Sequence, residues 1–282
     1  MFRTELKPRK SSDKISYNDS IVTLGSCFAQ TIGSRLERNK FDVLPNPFGV
    51  IFNPLAQFKL LQYVLNNEVP EDYTFIESQN IWYNYDFHSD YSALSKDELQ
   101  MKVEGTIKQT RGILQKSNWL LLTFGTSIGY HLISNEQMVA NCHKIPADQF
   151  TKDFVSQKQI LASFDTLYSE LKKFNPHLNI ILTVSPVRHL KETLELSSVS
   201  KSILRIAAHS IQKEYENVNY FPAYELLLDD LRDYRFYTKD MLHPNETGEE
   251  YIWDKFCSSY MEEDSMTIIK DWEKVRRSLE HK

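Results

Sequence analysis

Short apolar runs separated by longer amphipathic stretches set the rhythm of this 282-residue chain. Ile21-Val22-Thr23-Leu24 is a run of strand formers that ends at Gly25-Ser26-Cys27. Over residues 28–39, Phe28, Ile32 and Leu36 recur on one face of a helix. Residues 41–44 form a second strand pattern, stopped by Pro45-Asn46-Pro47. A helix over 53–63 is signalled by Asn53 as its cap and Pro54 at its first position.

Trp119-Leu120-Leu121-Leu122-Thr123-Phe124 is the strongest buried-strand signal and stops at Gly125. A helix near 157–174 leads to a further strand at 179–185, closed by Pro186. Then come a helix at 198–216, a strand at 218–221, a short helix near 224–231 and a helix from about 246 to 261. Near-continuous apolar strands alternating with helices predict an α/β fold, a parallel sheet covered on both faces. Such sheets bind ligands beyond the carboxyl ends of their strands. Residues 70–95 read as irregular and rich in aromatics, too long for a simple connection.

The expected organisation is one domain over 1–262 with a long insertion near 70–115, followed by a helical tail at 263–282. Composition narrows the function. A net charge of -5 with interspersed charges and no basic stripe argues against a nucleic-acid partner. No apolar run has the length of a membrane span, and no signal-peptide pattern opens the chain. Cys27, Cys142 and Cys257 are odd in number and dissimilar in context, so a reduced, cytoplasmic protein is expected. Oligomeric state is not legible.

If the strands are parallel, the groups just past their ends converge on one rim. These are Gly25-Ser26-Cys27, Asn46-Pro47-Phe48-Gly49, Gly125-Thr126-Ser127 and Ser185-Pro186-Val187-Arg188-His189, joined by Asp240-Met241-Leu242-His243 before the last helix. A serine hydrolase needs a nucleophile, a base, an acid orienting the base, and donors for the oxyanion. Of the eight histidines, His243 alone has an aspartate three positions before it.

The order Gly-Ser early, glycine-bearing turns between, and D-x-x-H late resembles the SGNH (GDSL-like) hydrolases. More closely, GSCFA at 25–29, NPFGVIFNP at 46–54, LTFGTS at 122–127, NCHK at 141–144, TVSPVRH at 183–189 and LRDYRFYTKDMLHP at 231–244 resemble the GSCFA family, over about residues 20–260. The resemblance implies a flavodoxin-like three-layer α/β/α sandwich and hydrolysis of an ester, such as an O-acetyl group on a carbohydrate. It implies Ser26 as nucleophile, His243 as base, Asp240 as orienting acid, and the N–H groups of Ser26 and Gly49 as oxyanion donors. No cofactor is implied.

One departure stands out. SGNH enzymes carry an asparagine donor after the third strand, and loss of one such donor typically costs about 3 kcal/mol of transition-state stabilisation. Here Thr126, Ser127 or Asn141 is left to substitute. That departure keeps a non-catalytic binding module in play, and an acyltransferase is a further rival because acyl transfer and hydrolysis share the acyl-enzyme.

Other residues admit two readings. Ser26 can also be a plain helix cap. Cys27 is expected to serve packing, although a helix N-terminus can activate a thiol. Cys142 and His143 lack the spacing of a metal site, so no metal is expected. Asn141 and His143 are read as lining the cleft or bracing the third-strand turn. Arg188 and His189 lie near the rim, with Arg188 either holding an anionic substrate group or pairing with an acid. Trp82, Tyr83, Tyr85 and His88 form either a substrate wall or a satellite hydrophobic cluster. In the run 231–237, arginine–aspartate pairing is preferred to nucleic-acid contact.

Overall fold

The computed structural model describes residues 4–280. In chain order the elements are β1 (Ser20–Gly25), α1 (Cys27–Arg38), β2 (Asp42–Pro45), α2 (Pro54–Asn66), β3 (Phe75–Ser78), β4 (Ile81–Asn84), β5 (Ser92–Ala93), α3 (Lys96–Leu114), β6 (Trp119–Phe124), β7 (Ile128–Leu132), β8 (Met138–Val139), β9 (Phe150–Phe154), α4 (Gln157–Phe174), β10 (Asn179–Val184), α5 (Leu194–Glu214), β11 (Val218–Tyr220), α6 (Ala223–Glu225), α7 (Glu246–Tyr260) and α8 (Glu263–Glu280). A π-helical turn, Leu226–Leu231, continues α6.

The central sheet has the order β11-β10-β6-β1-β2, and every pairing in it is parallel. Side chains alternate across it. Val22, Leu24, Leu120, Leu122, Ile180 and Leu182 face a core shared with α2, α3, α4 and α5. Ile21, Trp119, Leu121 and Ile181 face the opposite core, with Phe28, Ile32 and Leu36 of α1 and Ile252, Trp253 and Phe256 of α7. Helices therefore cover both faces, and the three-layer α/β/α expectation holds. The chain reverses its direction of travel across the sheet between β1 and β6, the kind of switch point where such folds open a crevice.

The connections differ from expectation. Residues 70–95 hold a small antiparallel sheet, β3-β4-β5. Its strands of two to four residues are too short to show a period against so many aromatic and polar neighbours. A second small sheet, β8-β7-β9, follows β6. β2 sits one residue later than expected and ends on Pro45, which an edge strand tolerates.

The C-terminal helix α8 docks on the domain. Ile269 is buried in the α1/α7 core, Arg276 donates to Arg38 O at 3.1 Å, and Ser265 Oγ donates to Ile15 O at 3.2 Å. Among the described residues no helix is long and apolar enough to cross a membrane.

Candidate active site

The turn from β1 into α1 is tightly determined. Gly25 has φ +140°, and a Cβ there would lie 2.2 Å from Thr123 O, so only glycine fits. Asn46 Oδ1 accepts the Gly25 N–H at 2.8 Å and ties the end of β1 to the segment after β2. Ser26 is the N-cap of α1: its backbone is extended, and its Oγ accepts the Phe28 N–H at 3.4 Å. Ser26 is only 1% exposed, and its own N–H is donated to Thr123 O at 3.2 Å.

Cys27, the first helical residue, is half-buried. Burial pushes its thiol pKa up, partly offset by its own backbone N–H. The remaining N–H groups of the first turn, from Phe28, Ala29 and Gln30, are taken up by Ser26. Apart from that contact with its own sulfur, the Cys27 N–H meets no acceptor among the described residues.

The second half of the site is the loop before α7. His243 Nδ1 lies 2.6 Å from Asp240 Oδ2, with both side chains 45% exposed. Asp240 Oδ1 takes three donors: the Thr238 hydroxyl at 2.6 Å and the N–H groups of Leu242 and His243 at 2.8 and 3.0 Å. The Thr238 hydroxyl, these two N–H groups and His243 itself hold the carboxyl far below the usual carboxylate range. A bridge between Tyr237 and Pro244 and the bond from Thr238 N–H to His243 O, 2.8 Å, close the loop, with Met241 at φ +60°.

Arg188 braces this loop. Its guanidinium donates to Met241 O at 2.6 Å and lies over the Tyr237 ring at 4.5 Å. A carbonyl and an aromatic face thus occupy the Arg188 guanidinium, in place of the substrate anion or acid partner expected from the sequence. Arg235 pairs with Asp233 at 3.0 Å, one of the arginine–aspartate pairs expected in this run.

Between the two halves lies a cavity of about 350 Å³, lined among others by Cys27, Phe52, Thr126, Arg188, His189 and His243. Ser26 is absent from its wall. His189 has its ring edge on Phe52 at 5.5 Å, and burial, aided by the Lys201 ammonium, draws its pKa down to about 4, so it is neutral. Its Nε2 is buried without a partner among the described residues.

The other candidate donors are placed elsewhere. The Gly49 N–H is donated to Asn46 O at 2.8 Å. Gly49 itself has φ +75°, where a Cβ would meet His88 at 2.3 Å. Ser127 is fully buried, with its hydroxyl and N–H both directed to Ser200 Oγ at 3.2 and 2.8 Å. Thr126 reaches the cavity but shares its hydroxyl with Ser200 at 3.0 Å.

Asn141 and His143 brace the insertion. Asn141 donates to Ser89 Oγ at 3.1 Å; His143 Nε2 lies 2.7 Å from Asn84 O, and its ring stacks on Tyr83 at 4.8 Å. Both line a second cavity, of about 610 Å³, which shares Phe52, Tyr130 and Lys191 with the first. Of the aromatics, Tyr85 falls in a small satellite cluster with Leu132 and Val139, whereas Trp82 packs on the main core.

Sequence reasoning missed the fastening of the rim. Lys201 of α5 is almost wholly buried and donates to Gly125 O and Ser185 O, each at 2.7 Å; burial lowers its pKa to about 7. Ser200 beside it holds the 126–127 turn, and Ser197 accepts the His189 N–H at 3.3 Å. Buried polar residues within an otherwise amphipathic helix were the available signal.

The GSCFA family profile matches residues 20–256, most of the chain and all of the site just described. The chain belongs to the GSCFA family. No curated protein matches it.

Among solved structures, this GSCFA chain is similar to a family 3 carbohydrate esterase from Talaromyces cellulolyticus, at 9% identity and TM-score 0.39, covering 90% of this chain and 99% of that one. It is also similar to a Clostridium thermocellum family 3 carbohydrate esterase, at 9% identity and TM-score 0.36, with coverage of 90% and 98%. An acetyl xylan esterase from Butyrivibrio proteoclasticus aligns at 10% identity and TM-score 0.40, with coverage of 86% and 63%. These are distant likenesses, and the reading of the GSCFA site rests on its own geometry.

Proposed function

We propose that this protein hydrolyses carboxylic esters through an acyl-enzyme, with His243 as base and Asp240 as its orienting acid. The nucleophile comes from the turn between β1 and α1, where Ser26 and Cys27 stand side by side. One observation carries the reading: His243, whose Nδ1 lies 2.6 Å from Asp240, lines a cavity that Cys27 at the start of α1 lines as well.

An imidazole held at Nδ1 by a carboxylate keeps its proton there and presents Nε2 as the proton acceptor. Asp240, saturated with donors and ionised, stabilises the imidazolium that forms. With the Ser26 and Gly49 N–H groups committed elsewhere, the N–H of Cys27 at the positive end of α1, which meets no acceptor but its own sulfur among the described residues, is the donor we assign to the oxyanion. A cavity of about 350 Å³ suits a small acyl group, and an O-acetyl group on a carbohydrate is the substrate class we put first.

The test is turnover of p-nitrophenyl acetate and a panel of acetylated sugars. Wild type should turn over at least one of them, and His243→Ala should lose roughly 10²–10⁴-fold in kcat/KM, the usual worth of a positioned general base. Wild-type inactivity on every ester, with a ligand still bound in the cleft, would leave a binding module instead. Acyl transfer to an added alcohol in preference to water would make the protein an acyltransferase.

A further inference from the structure

We propose that the nucleophile is the Cys27 thiol and the acyl-enzyme a thioester, an inference that rests on the acyl-transfer reading above. Ser26 and Cys27 are neighbours in sequence but divide the work of the turn. Ser26 is buried to 1% exposure, its hydroxyl caps α1 and its N–H holds β6, and it contributes nothing to the cavity wall. Cys27 is half-buried and lines the same cavity as His243.

Two further observations make this a site and not an isolated thiol. His243, held by Asp240 at Nδ1, lines the cavity. The Cys27 N–H is the first-turn donor left over after Ser26 has taken up those of Phe28, Ala29 and Gln30. A nucleophile whose own N–H is taken by no other residue can attack and support the resulting oxyanion from one residue.

The start of α1 favours a thiolate, whereas burial opposes it and leaves the thiol protonated at rest. The proton therefore leaves during attack. His243 Nε2 takes it as Sγ bonds to the carbonyl carbon and the carbonyl π electrons move onto oxygen. Collapse breaks the C–O bond, and the leaving alkoxide takes the proton from His243. Water then attacks the thioester and passes one proton to His243. The C–S bond breaks, releasing the acid, and the thiolate recovers that proton.

Two measurements test this, one of which needs no substrate. Cys142 is also half-buried with a thiol pKa raised by burial, but it lines the neighbouring cavity, away from His243, and serves as an internal control. Near neutral pH, iodoacetamide should alkylate Cys27 roughly tenfold or more faster than Cys142, and His243→Ala should abolish the difference. Equal rates, or a difference that survives His243→Ala, would overturn the proposal even if esters are turned over.

In the second measurement, wild type is acid-quenched during turnover of p-nitrophenyl acetate and its peptides are mapped by mass spectrometry. The acetyl group should sit on Cys27, be removed by neutral hydroxylamine, and remain on Cys27 in Ser26→Ala. Acetyl on Ser26, or undiminished turnover by Cys27→Ala, would refute the thiol and leave the esterase reading standing. No turnover combined with His243-dependent alkylation would do the reverse.

Discussion

Asp240→Asn separates the electrostatic role of the orienting acid from its role in shaping the loop. Asp240 uses its two oxygens differently: Oδ1 accepts from Thr238, Leu242 and His243 N–H, while Oδ2 faces His243 Nδ1 alone. An asparagine can keep its carbonyl oxygen on the three Oδ1 donors and so preserve the turn. Its amide nitrogen then faces Nδ1 as a donor, and Nδ1 must answer with its lone pair. The imidazole is forced into the tautomer with its proton on Nε2, the nitrogen that has to accept one. Loss of the base and of the stabilised imidazolium should lower kcat/KM by two to four orders of magnitude, roughly the range of general-base catalysis.

The assay is initial rate against p-nitrophenyl acetate over a pH series, with far-UV circular dichroism and thermal melting to show the loop and fold retained. A variant that melts like wild type yet keeps more than roughly a tenth of its kcat/KM would refute the assignment of Asp240 and His243 as a working pair. Because the carboxyl is held far below the usual range, no part of the acid limb of the wild-type profile should come from Asp240.

Three other outcomes are expected. Gly25→Ala puts a methyl group 2.2 Å from Thr123 O at φ +140°, so the β1–α1 turn must break; soluble yield or melting temperature should fall sharply, while Gly105→Ala, whose Cβ meets nothing within 4 Å, should melt like wild type or slightly above it. Lys201→Met tests the buried ammonium through pH. The folded pKa of about 7 lies below the ordinary 10.5, so between these values the unfolded chain binds the extra proton and stability rises with pH; wild type should gain melting temperature relative to the variant from about pH 7 to 10, and parallel curves would refute the burial argument. Arg188→Ala removes the brace on Met241 O and the stacking on Tyr237, and should lower kcat with little change in KM, whereas a rise in KM alone would return Arg188 to substrate binding.

The parts of the fold legible in the sequence are those buried on both sides. Trp119–Phe124 and Asn179–Val184 read as strands because helices cover both their faces, leaving no polar alternation to confuse the pattern. The helix Lys96–Leu114 is masked in the sequence although Leu99, Val103, Ile107 and Leu114 carry its buried stripe and Ser95 caps it, because charged positions dominate its exposed face. In the β3–β5 insertion no comparable signal existed: Trp82 and Tyr83 point to opposite faces of a four-residue strand and are used by different neighbours. The D-x-x-H spacing was readable because three residues span one tight turn. Which of two adjacent side chains faces the cavity was not, since that depends on the φ of +140° at Gly25 and the extended backbone of Ser26.

The absent asparagine after the third strand also takes on a different meaning. The Gly125-Thr126-Ser127 turn is fastened to the interior from α5. Lys201 takes Gly125 O, and Ser200 takes the Ser127 N–H and both hydroxyls. Ser197 and Lys201 fasten the 185–189 segment by the same helix face, since residues 197, 200 and 201 stand three and four apart. A turn secured in this way is positioned precisely but has little hydrogen-bonding capacity left to offer a reacting carbonyl. In the proposed reading oxyanion stabilisation falls to the start of α1, where the Cys27 N–H meets no other residue's acceptor among the described residues and the helix presents its positive dipole end. That proposal concentrates nucleophile and oxyanion donor on Cys27 and leaves the turn after β6 as scaffold. Ser200→Ala should therefore disturb the site by loosening the turn, and restoring a hydroxyl with Ser200→Thr should recover activity; undiminished turnover by Ser200→Ala would refute the scaffold role of the turn.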